Sequence, residues 1–94
     1  MLPAYWSKYL RMPTYYFHLK TGDVIVEDPE GSELANLQAA RQYAVSAARE
    51  LLAHAIREGR ETPDCVLVID AEGRELFTVL TREVLPASLR TLLR

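Results

Sequence analysis

Between Asn36 and Gly59 the apolar residues recur at helical spacing, and short alternating segments flank this stripe on both sides, which leaves few folds open. Leu37, Ala40, Ala44, Ala47, Ala48, Leu51 and Ala55 share one side of the helical projection, while Arg49, Glu50, Ala53 and Arg57 face away. Asn36 suits the N-cap, where its side-chain oxygen can accept from an otherwise unpaired amide, and Gly59 suits the left-handed turn that ends a helix. The spacing predicts about 22 helical residues, roughly 33 Å long at about 1.5 Å each. The five alanines on the stripe let the helix lie close to whatever it covers. A chain of 94 residues supports a single core, so one sheet is the expected partner.

The segment TYYFHLK, residues 14–20, alternates strictly, with Tyr15, Phe17 and Leu19 on one side and Tyr16, His18 and Lys20 on the other. This is the pattern of a strand with one buried face. Thr21-Gly22-Asp23 and then VIVED predict an antiparallel hairpin. After Thr62-Pro63-Asp64, CVLVID and LFTVL read as a second hairpin. Here the alternation fails: Val66 and Val68 oppose Cys65, Leu67 and Ile69, and Phe77 and Val79 oppose Leu76, Thr78 and Leu80. Strands apolar on both sides are usually buried on both sides, yet one helix covers only one face of a sheet. The second face therefore calls for a cover: the N-terminal arm, the C-terminal tail or another subunit. Leu67, Ile69, Phe77 and Val79 are the expected interface residues, joined by Leu89, Leu92 and Leu93 of the tail.

The fold expected is a two-layer α+β domain, an antiparallel sheet of about four strands in the order ββαββ with one long helix across one face. It occupies residues 12–80, after an N-terminal extension, residues 1–11, and before a tail, residues 81–94. In the tail, Pro86 at a helix-start position and the leucines that follow suit a short amphipathic helix. The arm has Leu2, Tyr5, Trp6 and Tyr9 at helical spacing, and both segments are too short to fold without a surface to lie on.

DPEGSEL, residues 28–34, returns 42 positions later as DAEGREL, residues 70–76, with five of seven letters unchanged. Aspartate bonding back to the following amides and glycine at positive φ are what tight turns need. Shared turn chemistry explains the repeat better than a shared ligand site. The second copy joins two strands, and the first makes a similar bend with a brief strand at Ser32 to Leu34. Calcium-loop spacing is absent from both.

YYFHL (Tyr15 to Leu19), then D-x-E-G-x-E-L (Asp28 to Leu34), then N-L-x-x-A-R-x-x-A with Leu37, Ala40, Arg41 and Ala44, then E-G-R at Glu58 to Arg60 and the hairpin Val66 to Val79, resemble a known family. It is a family of small bacterial proteins, mostly alphaproteobacterial, classed as a domain of unknown function. The resemblance covers about residues 12–80, and it implies that Met12-Pro13 is the usual start and residues 1–11 an extension from an upstream start codon. It implies no activity, cofactor or catalytic residue. The element order also resembles, as an analogy of architecture alone, the antitoxin subunits of toxin–antitoxin pairs of the HicB kind.

Chemistry is sparse. Cys65 sits between apolar neighbours with no base beside it, the setting of an inert core thiol. Ser32, Ser46 and Ser88 have no nucleophile-elbow context. His18 and His54 lie at no metal-ligand interval, and His54 is placed for i,i+4 bonding to Glu50 or Glu58. Neither a catalytic residue, a metal site nor a cofactor is therefore expected. Tyr16, His18 and Lys20 on the less apolar face of the first strand are the candidate binding residues. Arg41 joins them, with a salt bridge to Asp28 or Glu30 as its expected structural role.

Each end of the chain is basic: residues 1–11 carry Lys8 and Arg11, and residues 80–94 carry Arg82, Arg90 and Arg94 against Glu83. With a net charge of −2, the body between them is acidic, which disfavours nucleic acid as a partner. No apolar run is long enough for a membrane span or a secretory leader, so a cytoplasmic location is expected. The leading functional expectation is a small non-enzymatic interaction module that forms a homodimer through its second sheet face or binds another protein there. An antitoxin-type regulator that binds a protein toxin or nucleic acid is the runner-up, and a small enzyme the third.

Overall fold

The computed structural model describes residues 12–86. Its first strand, β1 (Thr14–Thr21), turns at Gly22-Asp23 into β2 (Val24–Val26), and a two-residue strand, β3 (Ser32–Glu33), follows. The helix, α1 (Leu37–Glu58), leads to β4 (Cys65–Ile69), β5 (Glu75–Leu80) and a 3₁₀ turn, Thr81–Val84. All strand pairs are antiparallel, in the order β2-β1-β4-β5, and β3 shares with β2 the outer edge of β1. The chain therefore has the expected α+β architecture, one helix against an antiparallel sheet.

The helix begins and ends where its caps dictate. Asn36 Oδ1 accepts from the Ala39 amide at 2.9 Å, and Gly59 adopts φ 65° while its N–H donates to the Ala55 carbonyl. Ala40, Ala44 and Ala48 are fully enclosed, and Leu52 and Ala55 continue the buried row. With no side chain beyond Cβ at three contacts, the backbone of α1 can approach the sheet closely, and Tyr15, Phe17, Val66, Val68 and Val79 fill the space opposite. Leu37, expected on the buried stripe, stands 49% exposed at the first helical position, and Leu52 is buried instead. Leu37 has the same helical phase as the buried Ala44 and Ala55, so its exposure comes from its place at the first helical position and not from the face it presents.

Strand register corrects a second expectation. Val66 pairs with Val79 and Val68 with Phe77, so Phe77 and Val79 face α1 and belong to the core. Between Val68 and Ile69 the register shifts by a β-bulge: Ile69 pairs with Glu75, and Leu76 is the extra residue. The expectation of Phe77 and Val79 as interface residues was built on strand alternation, which does not fix how two strands are paired. Of the expected interface set, Leu67 and Ile69 remain on the second face, and Leu89, Leu92 and Leu93 lie outside the described residues.

The 3₁₀ turn packs with the body. Thr81 is buried, its Oγ1 donates to the Pro63 carbonyl at 2.6 Å, and Val84 packs against the core. The N-terminal extension and the amphipathic tail helix expected from the sequence lie outside the described residues. No helix among those described is long and apolar enough to cross a membrane.

Candidate functional site

The second sheet face is built by three paired strands in register. Lys20, Cys65 and Leu80 form one row across β1, β4 and β5; His18, Leu67 and Thr78 form the next; Tyr16, Ile69 and Glu75 form the last. The centre of this face is apolar or neutral, and its two full charges stand at diagonally opposite corners. The Thr78 hydroxyl donates to Glu75 Oε1 at 3.2 Å, which holds the carboxylate over the face. Among the described residues, α1 and the 3₁₀ turn pack on the other side, and no element lies over this one.

A clasp closes the outer edge of β1. Where the ladder to β2 ends, the Phe17 amide donates to Asp28 Oδ2 at 3.2 Å, and the Asp28 amide donates to His18 Nδ1 at 3.0 Å. Asp28 Oδ1 also accepts from the Glu30 and Gly31 amides. One carboxylate thus replaces the strand that the chain omits, and backbone groups at the edge are paired as a ladder would pair them. His18 acting as an acceptor at Nδ1 assigns the proton of its neutral ring to Nε2. Gly31 has φ 71°, and a Cβ there would lie 2.8 Å from Thr14 Cγ2 and 2.9 Å from the Tyr15 carbonyl oxygen. Only glycine fits where this loop rests on β1.

The second Asp-x-Glu-Gly loop has the same nucleus and a looser setting. Asp70 Oδ1 accepts from the Glu72 and Arg74 amides, each at 2.9 Å, and its Oδ2 pairs with Arg74 Nε at 2.7 Å. These bonds, led by the Arg74 amide, hold the Asp70 carboxyl below the ordinary aspartate range. Gly73 has φ 83°, but a Cβ there would meet nothing within 4 Å.

The residues that carried the sequence resemblance now have places. The aromatic strand and the Asp-x-Glu-Gly loop are two halves of one hydrogen-bonded edge, and Leu37 to Ala44 set the helix upon it. A family model for a domain of unknown function, DUF6894, matches residues 14–81. The chain belongs to this family. No curated protein and no solved structure matches the chain. The DUF6894 match spans β1 through Thr81, so both sheet faces, the clasp and both loops lie within the family domain.

Of the candidate binding residues in this DUF6894 domain, Tyr16, His18 and Lys20 share the second face as their alternation required. Arg41 does not. Its guanidinium carbon lies 4.7 Å from the centroid of the Phe77 ring, on the helix side of the sheet, so the expected salt bridge to Asp28 or Glu30 is replaced by a cation–π contact. The helical phase directs Arg41 toward β5, whereas the Asp28 loop lies on the far edge of β1. His54 bonds Glu58 at 3.3 Å across one helical turn, as its spacing predicted. Cys65 is buried, and burial is the main cause that pushes its thiol up, with Lys20 opposing. Among the described residues no group of three or more His, Cys, Asp or Glu is placed to hold a metal ion.

Glu75 escaped the sequence reading because a bulge cannot be seen in alternation, and Thr78 because alternation alone does not say which side of β5 faces the helix. Asp64 escaped it too. Its amide donates to the Lys20 carbonyl at 2.7 Å, its Oδ2 accepts from the Gly22 amide at 2.8 Å, and its carbonyl accepts from Thr81. It thereby ties both hairpins and the 3₁₀ turn together, and the Thr-Pro-Asp stretch was legible only as a break.

Proposed function

We propose that this DUF6894 domain is a non-enzymatic interaction module whose second sheet face is its working surface, and that a second copy of the chain is the partner it takes. The observation that carries this reading is the face around Leu67, Ile69 and Leu80, over which no described element lies. Such a face, three strands wide and about 20 Å long, projects roughly 300 Å². Side-chain relief raises this toward the roughly 800 Å² per partner of standard interfaces, so a weak, concentration-dependent dimer is expected. Both histidines are already engaged, which also favours binding: His18 Nδ1 is bonded within the clasp, and His54 pairs on the helix.

Sedimentation equilibrium of the full chain across micromolar to millimolar concentration tests the reading. Reversible dimerisation is expected. Leu67→Asp, and independently Ile69→Lys, should abolish it while circular dichroism stays native. Ile56→Asp, the same kind of change at an exposed helix position, should leave it intact. A chain that stays monomeric, or a dimer indifferent to both face variants, overturns the proposal. Oligonucleotide binding that weakens steeply with salt would replace it with the regulator reading.

A further inference from the structure

The rows of the second face carry a symmetry of charge that restricts how two copies can meet. Within the rows of β1, β4 and β5, Lys20 sits at one corner and Glu75 at the diagonally opposite one, with Leu67 midway between them, and Ile25 of β2 continues the Lys20 row outward. Neither has an ion-pair partner among the described residues, all ion pairs there being formed by His54, Glu58, Arg60, Asp70, Glu72 and Arg74. Asp64 stands at the Lys20 end, but its carboxylate accepts from the Gly22 amide.

Resting on the dimer proposed above, we infer that the partner is a second copy docked face to face about a two-fold axis through Leu67, placing Lys20 of each copy over Glu75 of the other. With strands about 4.8 Å apart and alternate residues about 6.7 Å apart, the two corners are roughly 16 Å from each other. A face-to-face two-fold reflects one face onto the other across the axis, so the axis that exchanges the corners is perpendicular to the line joining them. Strands of the two copies then cross at about 70°, near the orthogonal class of sheet packing. An aligned packing, with the axis along the strands, would set Lys20 over Leu80 and Glu75 over Tyr16, leaving both charges covered and unpaired. The steep crossing satisfies both charges twice, keeps Leu67 against Leu67, and forms a closed isologous contact.

Charge reversal tests this geometry. Both residues are exposed, so Lys20→Glu and Glu75→Lys should keep the fold. Each single reversal turns two attractions into two repulsions and is expected to weaken dimerisation about tenfold at low salt. The double variant, Lys20→Glu with Glu75→Lys, should return to within about twofold of the parent. A dimer that the Leu67 and Ile69 variants disrupt but the single reversals leave unchanged sinks the crossed geometry and spares the dimer. Failure of the double variant to recover sinks it equally. A parent chain that never dimerises removes both proposals.

Discussion

The two Asp-x-Glu-Gly loops are nearly the same in letters and unlike in consequence. Each is nucleated by an aspartate whose Oδ1 collects two amides of its own loop. They part at Oδ2. In the first loop it reaches a strand and pairs the Phe17 amide; in the second it takes the guanidinium of Arg74 at an exposed hairpin tip. The first aspartate closes tertiary structure, whereas the second closes only its own turn. Repeated letters thus record a repeated local geometry, and the surroundings decide how much stability rests on it.

The sharpest way to break this contrast is at the glycines. Gly31→Ala must hold a Cβ at positive φ and also push against the Tyr15 carbonyl and the Thr14 methyl, and it should destabilise the domain by about 3 kcal/mol. Gly73→Ala meets open space and bears the backbone cost alone, about 1 kcal/mol. Urea midpoints of the two variants check the ranking, and equal losses would dissolve it.

Next in size is the aspartate pair. Asp28→Asn presents a donor to a part-buried donor, either the Phe17 amide or those of its own loop, and should cost about 2 kcal/mol. His18→Ala, which deprives the Asp28 amide of its acceptor, should cost about 1 kcal/mol. Amide exchange at Phe17 and Asp28 should accelerate in both. Asp70→Asn, which disturbs only its own turn and a contact with the exposed Arg74 guanidinium, should lose less than Asp28→Asn.

The smallest effect is read by pH. Because the Asp70 carboxyl lies below its ordinary range in the folded chain, its ionised form stabilises the fold above roughly pH 4, and that contribution is lost as acid protonates it. Replacing Asp70 with Asn should flatten the acid limb of the stability profile below about pH 4. An unchanged limb would show that the Arg74 contact matters little.

Much of this molecule was legible before any coordinates. The alanine stripe and its caps placed α1, strict alternation placed β1, and two glycines with their aspartates placed the turns. What stayed hidden depended on pairing. Alternation said that Phe77 and Val79 share a side, but only the register with Val66 and Val68 says which, and the extra residue Leu76 then resets the face on which Glu75 lies. Arg41 was expected to reach a carboxylate of the first Asp-x-Glu-Gly turn, yet its helical phase carries it to an aromatic ring on the opposite edge strand. The Asp28–His18 clasp joins residues ten apart through a loop, and no periodic signal marks such a bond.

The short β2 and the bulged β5 have a consequence for crowding. Exposed sheet margins invite like molecules to zip together into fibres. Here one margin offers three residues before the clasp diverts the chain, and the other loses step at Leu76. A copy arriving sideways finds no long, even row to follow. The molecule can thus be concentrated without seeding endless growth.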